Sequence, residues 1–190
     1  MKFLATATAA AVLFISPALS APTDFEIDKS HTNISFSIDH FGFSTTQGRF
    51  ADWEGTLVID QEAPENSKVS VVVKTESLDT FYPDRDKHLK SADFFNVATF
   101  PEITFNSTGV EKTGDGTLEV AGDLTILGVT KPTVLNVKVT KIGESPITKK
   151  ITAGFDASTV IKRSDFGMTT FAPAIGDEVT IQIHSEAAKK

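Results

Sequence analysis

Cysteine is absent from this 190-residue chain. That removes thiol catalysis, disulfide frameworks and cysteine-ligated zinc together. Basic residues are in the minority, 18 Lys+Arg against 25 Asp+Glu, for a formal charge of −7. A nucleic-acid binder carries a basic excess or stripe, so no nucleic-acid partner is expected. Tyrosine and tryptophan are scarce, one of each, against 15 phenylalanines. Phenylalanine has no polar handle, so this surplus suits a core or an apolar pocket better than hydrogen-bonded recognition.

Familiar catalytic signatures are missing as well. There is no G-x-S-x-G, and so no nucleophile elbow. Gly109 to Gly114 has the glycine spacing of a phosphate loop, but Asp115-Gly116 replaces the Lys-Ser/Thr that would touch phosphate and magnesium. Asp84 to Phe95 faintly resembles a calcium loop. It carries Leu89 where the sharp turn needs glycine and Phe95 where a bidentate glutamate belongs. The histidines are His31, His40, His88 and His184, and none forms an H-E-x-x-H pair. Asp84 and His88 would share a helix face, but two ligands fall short of the three a catalytic zinc takes. No metal site is expected. His31 and His40 flank a strand near Asp28 and Asp39, and read as hydrogen-bonded strand-end residues rather than acid–base catalysts.

What is present begins with an address. Lys2 precedes an uncharged run from Phe3 to Ile15; Pro17 breaks it, and Ala18-Leu19-Ser20 supplies small residues at the first and third places. This pattern predicts a secretory signal peptide over residues 1–20, cleaved after Ser20. The run is too short to span a bilayer permanently. Residues 21–190 then form one domain of 170 residues, with charge −8 after loss of Lys2 and with 13 of the phenylalanines.

This remainder reads as strands. Ile34, Phe36 and Ile38 alternate with polar residues, as do Val69, Val71 and Val73. Leu118, Val120, Leu124 and Ile126 share one parity, as do Leu135, Val137 and Val139, and then Val179, Ile181 and Ile183. Nine such runs are visible, with apolar residues on one face and polar residues on the other. Antiparallel sheets with one wet face look like this. Gly114-Asp115-Gly116 is a hairpin signal, and Gly122 within its run marks a bend or bulge. Two stretches break the pattern. Residues 78–97 predict a short helix after Pro83, in the region 84–95. Residues 158–176 predict a long irregular connection, the kind of segment that often carries function. The class is all-β, a sandwich or a barrel.

The phenylalanines are the remaining functional lead. Phe36, Phe41, Phe43, Phe50, Trp53, Phe81, Phe94, Phe95, Phe166 and Phe171 are candidates for an apolar lining, joined by Leu89, Phe105 and Met168. For any single one of them, ordinary core packing is the competing reading. As a group they are more persuasive, because Phe41, Phe43, Phe94, Phe95, Phe166 and Phe171 fall in or beside irregular segments.

Several segments also match a known pattern in family order. They are Asp28-Lys29-Ser30-His31, His40-Phe41-Gly42-Phe43-Ser44, Gly48-Arg49-Phe50 and the run Arg85 to Phe95. Phe100-Pro101-Glu102-Ile103-Thr104-Phe105, Gly122 to Ile126 and Gly128 to Pro132 follow. Arg163 to Met168 and Gly176 to Val179 complete the set. Over residues 22–188 the chain resembles the YceI-like family of exported lipocalin-type proteins. The resemblance implies an eight-stranded antiparallel lipocalin-like barrel. It implies an apolar tunnel that holds a long isoprenoid lipid, an isoprenoid quinone or a polyprenyl phosphate, and a periplasmic, non-enzymatic protein. No cofactor is expected beyond that ligand. Head-group candidates are His40, Arg85, His88 and Arg163. Loop bracing is the alternative for each, through pairs such as Arg85 with Asp86 and Arg163 with Asp165. Other readings are a fatty acid or fatty amide as ligand, an enzyme acting through His40 or His88, and a structural or stress-related envelope protein with a packed barrel. Transient contact with a membrane or membrane protein is expected, from a monomer or homodimer.

Overall fold

In the computed structural model, which describes residues 21–190, the period-two runs become strands whose apolar parity faces one shared interior. The expected signal peptide lies outside the described residues. In chain order the strands are β1 (Thr23–Ile27), β2 (Asn33–His40), β3 (Ser44–Phe50), β4 (Trp53–Ile59), β5 (Lys68–Lys74) and β6 (Leu78–Asp79). Then come α1 (Pro83–Leu89), β7 (Glu102–Gly114), β8 (Thr117–Ile126), β9 (Val129–Glu144), β10 (Ile151–Lys162) and β11 (Ile175–Lys189). All neighbours are antiparallel, in the order β1-β4-β5-β7-β8-β9-β10-β11, and β11 returns to pair with β1. This closes an eight-strand barrel. The final strand does two jobs: Val179–His184 pair with β2, and Ala187–Lys189 pair with β1. Strands β2, β3 and β6 thereby extend one end of the wall.

The sandwich-or-barrel choice is thus decided as a barrel, by a pairing between the two ends of the domain. Among the described residues eleven strands replace the nine visible in the sequence. One of the additions, β3, reads Ser-Thr-Thr-Gln-Gly-Arg-Phe and has no apolar alternation. Its inward position Gly48 is covered by the Phe36 ring of β2, so the hydrophobic group that fills this face belongs to the neighbouring strand. The connection expected over 158–176 is shorter, because β10 continues to Lys162. There Thr159 is buried and Val160 is exposed, which inverts the usual polarity and hides the alternation.

Local chemistry sets the turns. Asp115 and Gly116 form the β7–β8 hairpin, with Gly116 at φ +68°. Leu127 and Gly128, both at positive φ, form the β8–β9 turn, the combination that matches hairpin twist. Pro83 opens α1, where its missing N–H is not needed. The helix ends at Leu89, earlier than the expected 95, and turns follow as Phe95 N–H donates to the Leu89 carbonyl.

Gly122 is not itself the bulge. The extra residue lies opposite it on β7, between Ser107 and Gly109. Gly122 instead makes room for a ring: a Cβ there would lie 2.4 Å from Phe105 Cζ and 2.6 Å from the Asn106 carbonyl oxygen. Gly122→Val is therefore expected to destabilise the barrel by about 1–3 kcal/mol. A urea titration in which the variant matches the parent midpoint would refute this.

Candidate functional site

The barrel interior is not filled by its own side chains. A cavity of about 950 Å³ runs through it, near the upper end of ordinary ligand pockets, roughly 300–1,000 Å³. Its walls are the inward residues of the strands, such as Ile34 and Ile38 of β2, Val69 and Val71 of β5, and Val137 and Ile181 of β9 and β11. At one end stand His40, Phe41, Tyr82, Arg85, His88 and Phe171. At the other stand Asp60, Gln61, Pro64, Lys68, Lys112 and Gly116. The arrangement is a long apolar tunnel with polar groups near its ends.

Most of the expected lining residues meet here. Phe36, Phe50, Trp53, Phe95 and Phe105 line the interior, and Leu89, Phe94, Phe166 and Met168 close its helix end. Phe41 and Phe171 line the mouth but are half exposed. The rings pass contacts inward: Phe50 lies 5.7 Å from Phe36 and 5.6 Å from Phe95, while His88 lies 5.0 Å from Phe94 and 6.2 Å from Phe171. Two expectations are corrected. Phe43 is 91% exposed and Phe81 is 68% exposed, and neither lines the cavity. Phe43 follows Gly42, whose φ of +73° turns the chain outward in the β2–β3 connection. Phe81 stands at φ +64° between β6 and α1, with its ring 5.7 Å from the Arg49 guanidinium carbon.

The polar candidates separate. His40 and His88 stand at the mouth, with His40 edge-on to Phe41 at 4.6 Å and His88 Nε2 3.7 Å from Asp93. His40 is not bonded to Asp39, whose carboxylate accepts from Gly42 N–H at 2.9 Å. His31 does bond Asp28, at 2.8 Å, as its strand-end position predicts. Arg85 donates from Nε to Thr80 Oγ1 at 2.8 Å and from Nη2 to the Thr80 carbonyl. Asp86 accepts the Thr80 N–H at 2.8 Å. Both residues brace the entry to α1 through Thr80 rather than through each other.

Arg163 touches the cavity but is 4% exposed and turns its donors elsewhere. It donates to four backbone carbonyls: Gly176 at 2.8 Å, Met168 at 2.9 Å, Thr170 at 2.8 Å and Ile175 at 3.1 Å. Four of a guanidinium's five N–H donors are thus engaged. Its role is to gather the strap of residues 163–176 into one shape, and its expected pairing with Asp165 is not what does this. Asp177 completes the clasp, accepting Ser164 N–H at 2.9 Å and Ser164 Oγ–H at 2.8 Å.

The Ser164 hydroxyl and amide hold the Asp177 carboxyl below its ordinary value of 3.8. A depressed carboxylate contributes stability that is present above its unfolded pKa and is lost as pH falls through its folded one. Amide protection factors in the 163–176 strap, with the intrinsic exchange rate divided out, are therefore expected to fall below about pH 4 in the parent. In Asp177→Asn they should be lower already at neutral pH and insensitive to that window. An unchanged acid response in the variant would remove Asp177 as the cause.

The sequence reading missed Tyr82 at the mouth and Asp60, Lys68 and Lys112 at the far end. Tyr82, the sole tyrosine, did carry a signal, since it stands beside Pro83 in an irregular segment. The far-end lysines carried none, because a lysine near either end of a strand looks like any solvated residue.

Known proteins bear on this geometry. The family model described as the YceI-like domain matches residues 25–187. The chain is 42% identical over 185 residues to Protein YceI of Salmonella arizonae, covering 96% of this chain and 95% of that protein. A crystal structure of the Campylobacter jejuni YCEI protein superposes with a TM-score of 0.74 at 31% identity, over 80% of this chain and 90% of the other. A polyisoprenoid binding domain from Saccharophagus degradans shares the fold, with a TM-score of 0.63 at 15% identity over 90% of this chain and all of that one. With one domain model across the barrel and a relative this similar along nearly its whole length, the chain belongs to the YceI-like family.

Proposed function

We propose that this protein is a periplasmic binder or carrier of a long isoprenoid lipid, an isoprenoid quinone or a polyprenyl phosphate, held in the barrel tunnel. The single observation that carries the reading is the open apolar cavity of about 950 Å³. A barrel of eight strands either fills its interior with side chains or holds one small ligand, and a structural envelope protein has no need of the space. The likeness to a polyisoprenoid binding domain supports the ligand class. The physics agrees. Each CH₂ removed from water contributes about 0.8 kcal/mol, so a dry tunnel of matching length needs few polar contacts to hold a tail. On this proposal the protein binds rather than catalyses, and Arg85 and Arg163 brace the fold. Orientation falls to His40, His88 and Tyr82 at the mouth.

The test is native mass spectrometry of protein purified from the periplasm without detergent, repeated after solvent extraction. The expected result is a polypeptide that begins at Ala21 and carries one discrete adduct that extracts as a polyprenyl compound. A fatty acid or amide as the sole adduct would overturn the ligand class. Empty protein that takes up no long-chain lipid on addition would overturn the function.

A further inference from the structure

Apolar rings gather around the outside of the tunnel mouth. Phe41, Tyr82 and Phe171 line the mouth and are also about half exposed. Phe43 stands beside Phe41 in the same turn, and Phe81 precedes Tyr82. Every aromatic among the large exposed apolar residues of residues 21–190 belongs to this group. Exposed apolar patches of this kind mark sites of contact.

The backbone beneath the rings is unusual. Phe41, Phe81 and Phe171 have φ of +57°, +64° and +60°. A bulky residue in that left-handed region is an outlier. Glycine would relax each position, yet each carries a ring that reaches solvent. Strained backbone of this kind clusters at positions in use, and here it presents rings that stay about half exposed or more.

We propose that this aromatic collar docks the mouth onto a zwitterionic phospholipid leaflet. The inference rests on the tunnel holding a long apolar tail. Aromatic rings favour the headgroup level of a bilayer, where a flat apolar body meets a wet boundary. The collar is continuous with the tunnel wall through Phe41, Tyr82 and Phe171, so docking joins the leaflet interior to the tunnel. A tail then passes between them without crossing water. Charge selects the kind of surface. At the mouth α1 offsets Asp84 and Asp86 with Arg85 and Lys87, which suits a neutral headgroup layer. The mature chain is negative, at −8 after loss of Lys2, and is repelled by a strongly anionic one.

The experiment is co-sedimentation of the mature chain with vesicles of phosphatidylethanolamine and phosphatidylcholine. Phe43→Asp is the informative variant, because Phe43 stands in the collar but outside the tunnel. Ile147→Asp is the control, an equally exposed residue in the β9–β10 connection. Vesicle binding is expected to fall at least about tenfold in Phe43→Asp, the scale of one buried phenyl ring. It should stay unchanged in Ile147→Asp, and phosphatidylglycerol added to the vesicles should weaken it. Equal binding by parent and Phe43→Asp would overturn the collar, as would a parent dimer that Phe43→Asp dissociates. The adduct in native mass spectra is read in parallel. Its loss from the parent would count against the tunnel, whereas its retention beside unaltered vesicle binding would count against the collar alone.

Discussion

Replacing Arg163 by Met is expected to cost the fold at least about 3 kcal/mol, the largest loss foreseen for a single side chain here. The reason is geometric. One guanidinium satisfies the carbonyls of Met168, Thr170, Ile175 and Gly176 at a buried site. Methionine matches much of the length but donates nothing, so all four acceptors lose their partner, and hydrogen bonds to charged groups are worth about 1.5–3 kcal/mol each. Some of that is regained where the strap opens to water. Lysine is not a substitute, because one ammonium has no planar fork to span the strap. The measurement is the urea midpoint of ligand-free protein. A head-group role makes the opposite forecast: unchanged stability, with the adduct lost. Unfolding at the parent midpoint would return Arg163 to the list of ligand contacts.

The second large effect concerns the tunnel itself. Ala157 lies midway along β10, facing the cavity between Val137 and Ile183. Ala157→Trp is expected to block the tunnel at its waist. Displacing even four CH₂ groups of a bound tail costs roughly 3 kcal/mol, more than a hundredfold in affinity. The empty barrel should tolerate the change, because the indole enters existing space rather than a packed core. Stability is therefore expected to stay within about 1–2 kcal/mol of the parent. The decisive comparison is native mass spectrometry of variant and parent grown alike. The same adduct at the same occupancy in both would show that the ligand does not thread the middle of the barrel.

These two residues also mark where sequence and structure part. The strand that carries Ala157 was expected to give way to an irregular connection at 158, because the inward Thr159 and outward Val160 disguise the pattern. Arg163 was legible as a residue of interest but not in its role. Its sequence neighbour Asp165 looked like its partner, whereas its acceptors are carbonyls up to 13 residues away, brought close by the strap's return into β11. Phe43 and Phe81 show the same limit on the apolar side. Residue type marked them for the lining, but Phe43 stands in the turn between β2 and β3 and Phe81 in the bend between β6 and α1, where strand parity does not aim a side chain inward.

Much followed from the chain alone. The period-two runs were enough for an all-β domain, and the absence of cysteine for one without thiol chemistry. Those are local properties, carried by residue type and by spacing within a strand. The tertiary structure decided the rest. Closure required β11 to meet β1 at the far end of the domain, and no pattern within either strand encodes that register. The cavity exists because the inward side chains of the barrel sum to less than the space that closure encloses. That is a property of the whole ring of strands, which is why counting phenylalanines pointed toward an apolar pocket but the empty volume appeared only on assembly.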